Sequence, residues 1–285
     1  MPLVARRLRS VLGQALPRLS AAREAVAAWR QLDDRRQLYL ALARLAFESA
    51  NDGDLDGAGK VSEEAAGIED SDWPPRLRLL FSAGVSRVIE YRGDAGAYRD
   101  VERRNLALAE LAGAGLAAAF ARFCLADAAS TAGDFEEAVT LGRAVVAEQR
   151  TLVRQSVLDH ALTNLCGALL MQGDIESAGA AALEAWPTVR GASIGWLLDH
   201  IALLATRIGR YAEAARILGR AEAWYAASRI NRLPNEARSA QLARVAIEMT
   251  LEASEAERLF AAGEQLTDGQ IDALVRSVLA EPIAR

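Results

Sequence analysis

Between polar turns, the chain repeats one arrangement of small and apolar positions. Gly-Asp stands at 53–54, 93–94, 133–134 and 173–174, at intervals of 40, and Gly209-Arg210 follows after 36. Seven residues before each glycine the side chain is small: Ala46, Ser86, Ala126, Cys166 and Ala202. One position earlier it is apolar: Leu45, Val85, Leu125, Leu165 and Ile201. Five residues after each glycine come Ala58, Tyr98, Ala138, Ala178 and Ala214. A fixed period near 40 with constant punctuation predicts an array of stacked units. In each unit the glycine closes one helix at positive φ, and the following Asp caps the next. The small residues let the two helices of a hairpin approach closely, and each hairpin buries its open apolar side on its neighbour.

This reading places helices at 4–16 and 19–32, around Pro17, as an N-terminal pair over 1–33. Trp29 is expected to pack on the first hairpin. Five hairpins then span 34–229: 35–51 with 55–68, 76–92 with 95–112, 115–132 with 135–149, 152–172 with 175–189, and 193–208 with 211–228. The acidic, proline-ended stretch Glu69 to Pro75 links the first two hairpins. After a break at Asn231–Asn235, helices at 236–251, at 253–264 and from Thr267 form a C-terminal helical cap over 230–285. Thr267 with Gln270 is a capping-box pair, and Ile271, Leu274, Val275 and Val278 give the last helix one apolar face. The fold class is therefore all-α, an α-α superhelix with no strand-like runs.

The run Gly133-Asp134-Phe135-Glu136-Glu137-Ala138, with Leu125-Ala126 before it, resembles the turn and first helix of a tetratricopeptide repeat. The resemblance covers roughly 34–229, with a period longer than that family's usual one; the hairpin carrying Ser86 and Tyr98 fits it least. Residues 209–225, through Ala214, Ala215, Arg216, Leu218, Gly219, Ala221 and Glu222, resemble the last repeat in the arm of bacterial STAND-class ATPase regulators of LuxR and winged-helix type. Pro234, the helix after it, Phe260 to Gly263 and the Thr267 helix follow that group's order, though Phe260 and Gly263 stand closer together than in its pattern. The resemblance implies an arm that senses an inducer or a partner. The chain has no phosphate-binding loop: Gly59-Lys60 is followed by Val61. It has no helix-turn-helix with a basic reading helix either, so the ATPase and DNA-binding roles of that class do not carry over.

Composition narrows the function classes. Apolar residues make up 52% but aromatics only 6%, the excess being Ala and Leu. The net charge of −5 argues against direct nucleic-acid binding. Basic residues are almost all Arg, Lys60 being the only lysine. No run of 18 apolar residues suggests a membrane span. The Arg-rich, acid-free residues 1–23 read as a first helix rather than a targeting segment. Cys124 and Cys166 lie inside apolar helices, as reduced thiols of a cytoplasmic protein would.

Three candidate chemistries arise. Residues 52–63 satisfy the spacing of a calcium loop, yet Gly59 stands where a hydrophobic residue belongs, and Gly53-Asp54 is already explained by the repeat. Asp159-His160 and Asp199-His200 stand 40 apart, but neighbouring residues on a helix do not face one another, so neither is a ready dyad and both histidines read as solvent-facing or groove-lining. No nucleophile and base constellation is supported. The expectation is a non-catalytic protein with no cofactor and no metal site. In a tetratricopeptide array the first helix of each hairpin lines the concave face. That register puts Arg87, Tyr91, Phe120, Phe123, Asp127, His160, Trp196 and Asp199 in one groove. Aromatic anchors beside charges suit a protein or peptide segment, or a small-molecule inducer. The alternative is a self-associating helical scaffold, a homodimer.

Overall fold

The computed structural model describes residues 18–151, 156–189, 194–228 and 230–280, the side chains at 80, 81, 83, 84 and 156 excepted. The expected helix over 4–16 lies outside these residues, as do the expected helix starts at 152–155 and 193. Every described element is helical, and the fold is of the α-α superhelical class. The chain divides into two compact units, one up to Ala121 and one from Arg122.

The first unit contains α1 (Arg18–Leu32), α2 (Arg35–Asn51), α3 (Leu55–Ile68), α4 (Pro75–Arg92), α5 (Ala95–Leu111) and the start of α6 (Gly115–Ala132). Its hairpins are built as the repeat requires. Asp34, Asp54 and Asp94 each accept a hydrogen bond from the backbone N–H three residues on, at 2.9–3.1 Å. Gly53 and Gly93 take φ of 89° and 70°, which L side chains rarely adopt. The core joins Ala22 and Val26 of α1 to Tyr39 and Leu42 of α2 and Ala65 of α3, with Trp29 packed against it. The linker is pinned rather than loose. Trp73 inserts into this core, edge-on to Tyr39 at 5.1 Å. Glu69 accepts from Arg78 at 2.8 Å and from Arg104. Burial works against that charge, but the two guanidinia hold the carboxyl below its ordinary range. Trp73→Ala should cost about 3–5 kcal/mol, because a buried indole leaves a hole that a proline-ended linker cannot collapse into; urea unfolding of the variant checks this.

The hairpin with Ser86 and Tyr98 departs from its neighbours for a visible reason. Tyr98 is buried where the others place Ala. The same hairpin buries polar groups: Ser86 donates to the buried Glu102, and Ser82, Glu90 and Asn105 are buried as well.

The second unit holds the rest of α6, then α7 (Phe135–Arg150), α8 (Ser156–Gln172), α9 (Ile175–Val189), α10 (Ile194–Arg207), α11 (Tyr211–Ser228), α12 (Pro234–Glu248), α13 (Ala253–Glu264) and α14 (Asp268–Leu279). Ala126, Cys166 and Ala202 on the first helices, and Ala138, Ala178 and Ala214 on the second, are all buried. Burial raises the Cys166 thiol to about 12, so it is an inert packing group. Where the last turn has Arg210 instead of Asp, the guanidinium reaches the Ser277 carbonyl of α14 at 2.5 Å. Thr267 and Gln270 form the capping box at the start of α14.

The C-terminal segment divides in two. Helix α13 crosses α11 through two glycines, and α14 lies on α11 and α9, where Trp186 donates to Asp272 at 2.8 Å. These two close the last hairpin, as a cap does. Helix α12 goes elsewhere. It packs mainly on α10, also on α11, and reaches α8 and α13, with Arg244 donating to Glu222 of α11 at 3.2 Å and stacking over Phe260 of α13.

Candidate functional site

The site begins with a line of rings on the first helices of the second unit. Phe123 of α6 meets His160 of α8 edge-on at 6.1 Å, and His160 meets Trp196 of α10 at 5.3 Å. Trp196 meets Trp224 of α11 at 6.3 Å, and Trp224 meets Tyr225 at 4.9 Å. Arg232 ends the line, its guanidinium 4.4 Å from the Tyr225 ring centre. Gly195 makes the line possible: a Cβ there would lie 2.0 Å from the Trp224 ring.

Beside the rings runs a polar seam beneath α12 and the residues leading into it. Arg232 clasps the fully buried Asp199 with two bonds, 2.9 Å from Nε and 3.2 Å from Nη2, and also reaches Glu222 at 3.0 Å. Asn235 donates to the Asp127 carboxylate at 2.6 Å, which Asn164 of α8 also meets at 2.7 Å. Ser239 lies 2.9 Å from Nδ1 of the fully buried His200. Arg238 donates to the carbonyls of Ser130 and Thr131 at the end of α6, at 2.9 and 3.2 Å, and stacks over Phe135. Cations suit that position, because the last carbonyls of a helix carry partial negative charge.

The structure therefore sorts the eight sequence-derived residues. Phe123, His160 and Trp196 belong to the ring line, Phe123 buried and the other two half-buried. Asp127 and Asp199 do not face an open groove. They are buried under the 230–248 segment and bonded to it, because a lone carboxylate at a covered position needs a partner. His200, expected to face solvent or line the groove, is fully buried, its ring seated on Gly167. Phe120 is 42% exposed in the first unit. Arg87 and Tyr91 form a separate cluster there. Arg87 pairs with Glu90 at 2.7 Å and sits 5.8 and 5.9 Å from the Phe47 and Tyr91 rings, while Tyr91 donates to Asn51 at 3.2 Å.

Arg232, Asn235, Arg238 and Ser239 were not foreseen. Their signal was in the sequence: polar residues at 235, 236 and 239 on a helix whose large apolar residues fall on another face. Residues 55–63 of the calcium-like spacing lie on α3: Asp52 ends α2, Asp54 caps α3, and only Asp56 and Glu63 lie on the helix itself, so no loop gathers the four carboxylates. Among the described residues no three His, Cys, Asp or Glu side chains converge as metal ligands.

The fold is helical-repeat-like. The crystal structure of BtubC (BKLC) from P. vanneervenii resembles it with a TM-score of 0.52 at 16% identity, covering 88% of this chain and 92% of that one. At this identity the likeness is one of fold alone. No protein-family model matches the chain, and no curated protein does. Among the described residues, no helix is long and apolar enough to cross a membrane.

The seam holds two titrating groups with opposite effects. Burial raises the Asp199 carboxyl to about 7, although Arg232 opposes it and the Glu222 charge adds to it. Burial lowers His200 to about 4. The contribution of Asp199 is present at low pH and lost as pH rises through 7. That of His200 is present above 6.5 and lost as pH falls towards 4. Between pH 6.5 and 4.5 the two oppose each other. Relative to the parent chain, Asp199→Asn should therefore lose stability on acidification and His200→Gln should gain it, each on the order of 1–2 kcal/mol. Chemical denaturation at pH 7.5 and 5 checks both slopes.

Proposed function

We propose that this chain is a non-catalytic recognition region of a bacterial signalling or transcriptional regulator, binding a helical segment of a partner protein on the first helices of its hairpins. One observation carries this reading: in the second unit those helices already hold α12 and the residues leading into it, buried Asp127 and Asp199 accepting from Asn235 and Arg232, and buried His200 pairing with Ser239. A face that selects one helix by charge and amide chemistry is a recognition face. The resemblance of 34–229 to tetratricopeptide repeats, and of 195–280 to the arm of STAND-class regulators, supports the same role. The first unit offers the Phe47, Arg87 and Tyr91 cluster at equivalent helix positions. A thermal-shift screen against helical peptides, metabolites and nucleotides tests the reading, since a ligand of the native state raises the midpoint by mass action. Peptide hits weakened by Arg87→Ala or Trp196→Ala would support it. Hits confined to metabolites would turn it towards inducer sensing, and turnover of any compound would end it.

Self-association is the second reading, favoured by the exposed Leu242 and Val245 on α12 and Met249 just past its end. Light scattering on the full chain separates the two: a dimer that dissociates on Val245→Glu supports assembly, and a monomer removes it.

A further inference from the structure

Helix α12 buries polar groups and leaves large apolar ones open. Its covered side carries Asn235, Glu236 and Ser239, which are 7%, 3% and 0% exposed. Its open side carries Leu242 and Val245, 38% and 46% exposed, and Met249 just past its end is 84% exposed. A helix that belongs to a core does the opposite. The apolar groups pressed inward are few: Leu233 just before the helix, then Ala240, Ala243 and Ile247. What holds the segment is side-chain bonding: Arg232 on Asp199, Asn235 on Asp127, Ser239 on His200 and Arg238 on the end of α6. Such bonds fix one geometry but add little net stability, because every partner also gives up water.

The fit is also incomplete. Nε2 of His200 is buried without a hydrogen-bond partner. A segment that covers the His200 imidazole and leaves one of its nitrogens unsatisfied is not the tightest occupant this face can take.

We infer that residues 230–248 are a built-in stand-in for the partner. The segment detaches as a unit from α6, α8 and α10, and from its contacts on α11 and α13, and the partner that replaces it presents the same groups: an arginine for Asp199, an asparagine three residues on for Asp127, and a serine four residues later for His200. This rests on the segment-binding reading above and names the chemistry of the segment bound.

Two measurements on the full chain decide it. Native-state hydrogen exchange should show amides of 236–247 exchanging through an opening that leaves α10 closed, with protection about a hundredfold below that of 197–206. Exchange of both only together, at the global rate, would overturn detachment. A fluorescein-labelled peptide copying 229–249 should bind the chain saturably. Arg238→Ala should tighten that binding about tenfold, because it loosens the resident segment and leaves only carbonyls that water can reach. A peptide with Ala in place of the arginine and asparagine should fail to bind. Absence of binding to either chain would overturn the partner chemistry even if the segment opens. A chain whose segment never opens, but which still takes up helical peptides in the thermal-shift screen, would retain the recognition reading and lose this one.

Discussion

Gly219→Ala and Gly263→Ala should each lower the melting temperature by about 6–12 °C, the equivalent of roughly 3 kcal/mol in a chain of this size. The two glycines form one crossing. A Cβ on Gly219 would stand 2.1 Å from the carbonyl oxygen of Phe260, and a Cβ on Gly263 would stand 2.2 Å from that of Arg216. Both obstacles are helix backbone, so neither can turn aside as a side chain would. The helices must separate, and the neighbours packed on α11 must follow. Helix propensity pulls the other way, since Ala is favoured over Gly by about 1 kcal/mol in a helix interior. Gly67→Ala isolates that opposing effect: it lies in α3 with nothing within 4 Å of the added methyl, and it should be neutral or stabilising. If all three variants melt together, the close crossing is not a constraint.

The other large effect is expected at Arg232. Arg232→Ala removes the only guanidinium bonded to the Asp199 carboxylate among the described hydrogen bonds, leaving a fully buried charge to be neutralised or solvated. Breaking such a pair costs about 3–5 kcal/mol, whereas replacing both members by apolar groups of similar volume is close to neutral. Arg232→Met with Asp199→Leu should therefore recover most of the loss. Guanidinium-chloride unfolding of the single and double variants measures the difference. A double variant as weak as the single one would mean that Arg232 acts through its stacking on Tyr225 instead of through the pair.

Both sites show where sequence reading stopped. The helix boundaries were legible because Gly-Asp turns and small residues at fixed offsets are local requirements: positive φ, a capped N-terminus, and close approach within a hairpin. The positions 46, 86, 126, 166 and 202 are buried in every hairpin, as the period required. The site was half legible. The register places Phe123, His160 and Trp196 in the same groove, but their alignment into one line of touching rings, and the stacking of Arg87 on Tyr91, belong to the tertiary structure. The register assigned Asp127 and Asp199 to an open groove because charge at a first-helix position looks solvated until something is known to lie on it.

The sequence by itself determined the hairpins, their period, and which helix face each small residue serves, because all of these follow from contacts within about 40 residues. Only the tertiary structure decided where residues 230–248 go. Asn235 meets Asp127, and Arg238 meets the Ser130 carbonyl, each across 108 residues, through hydrogen bonds that no periodicity encodes. A polar contact between distant segments depends on the path of the chain between them, and that path is set by how the intervening helices stack.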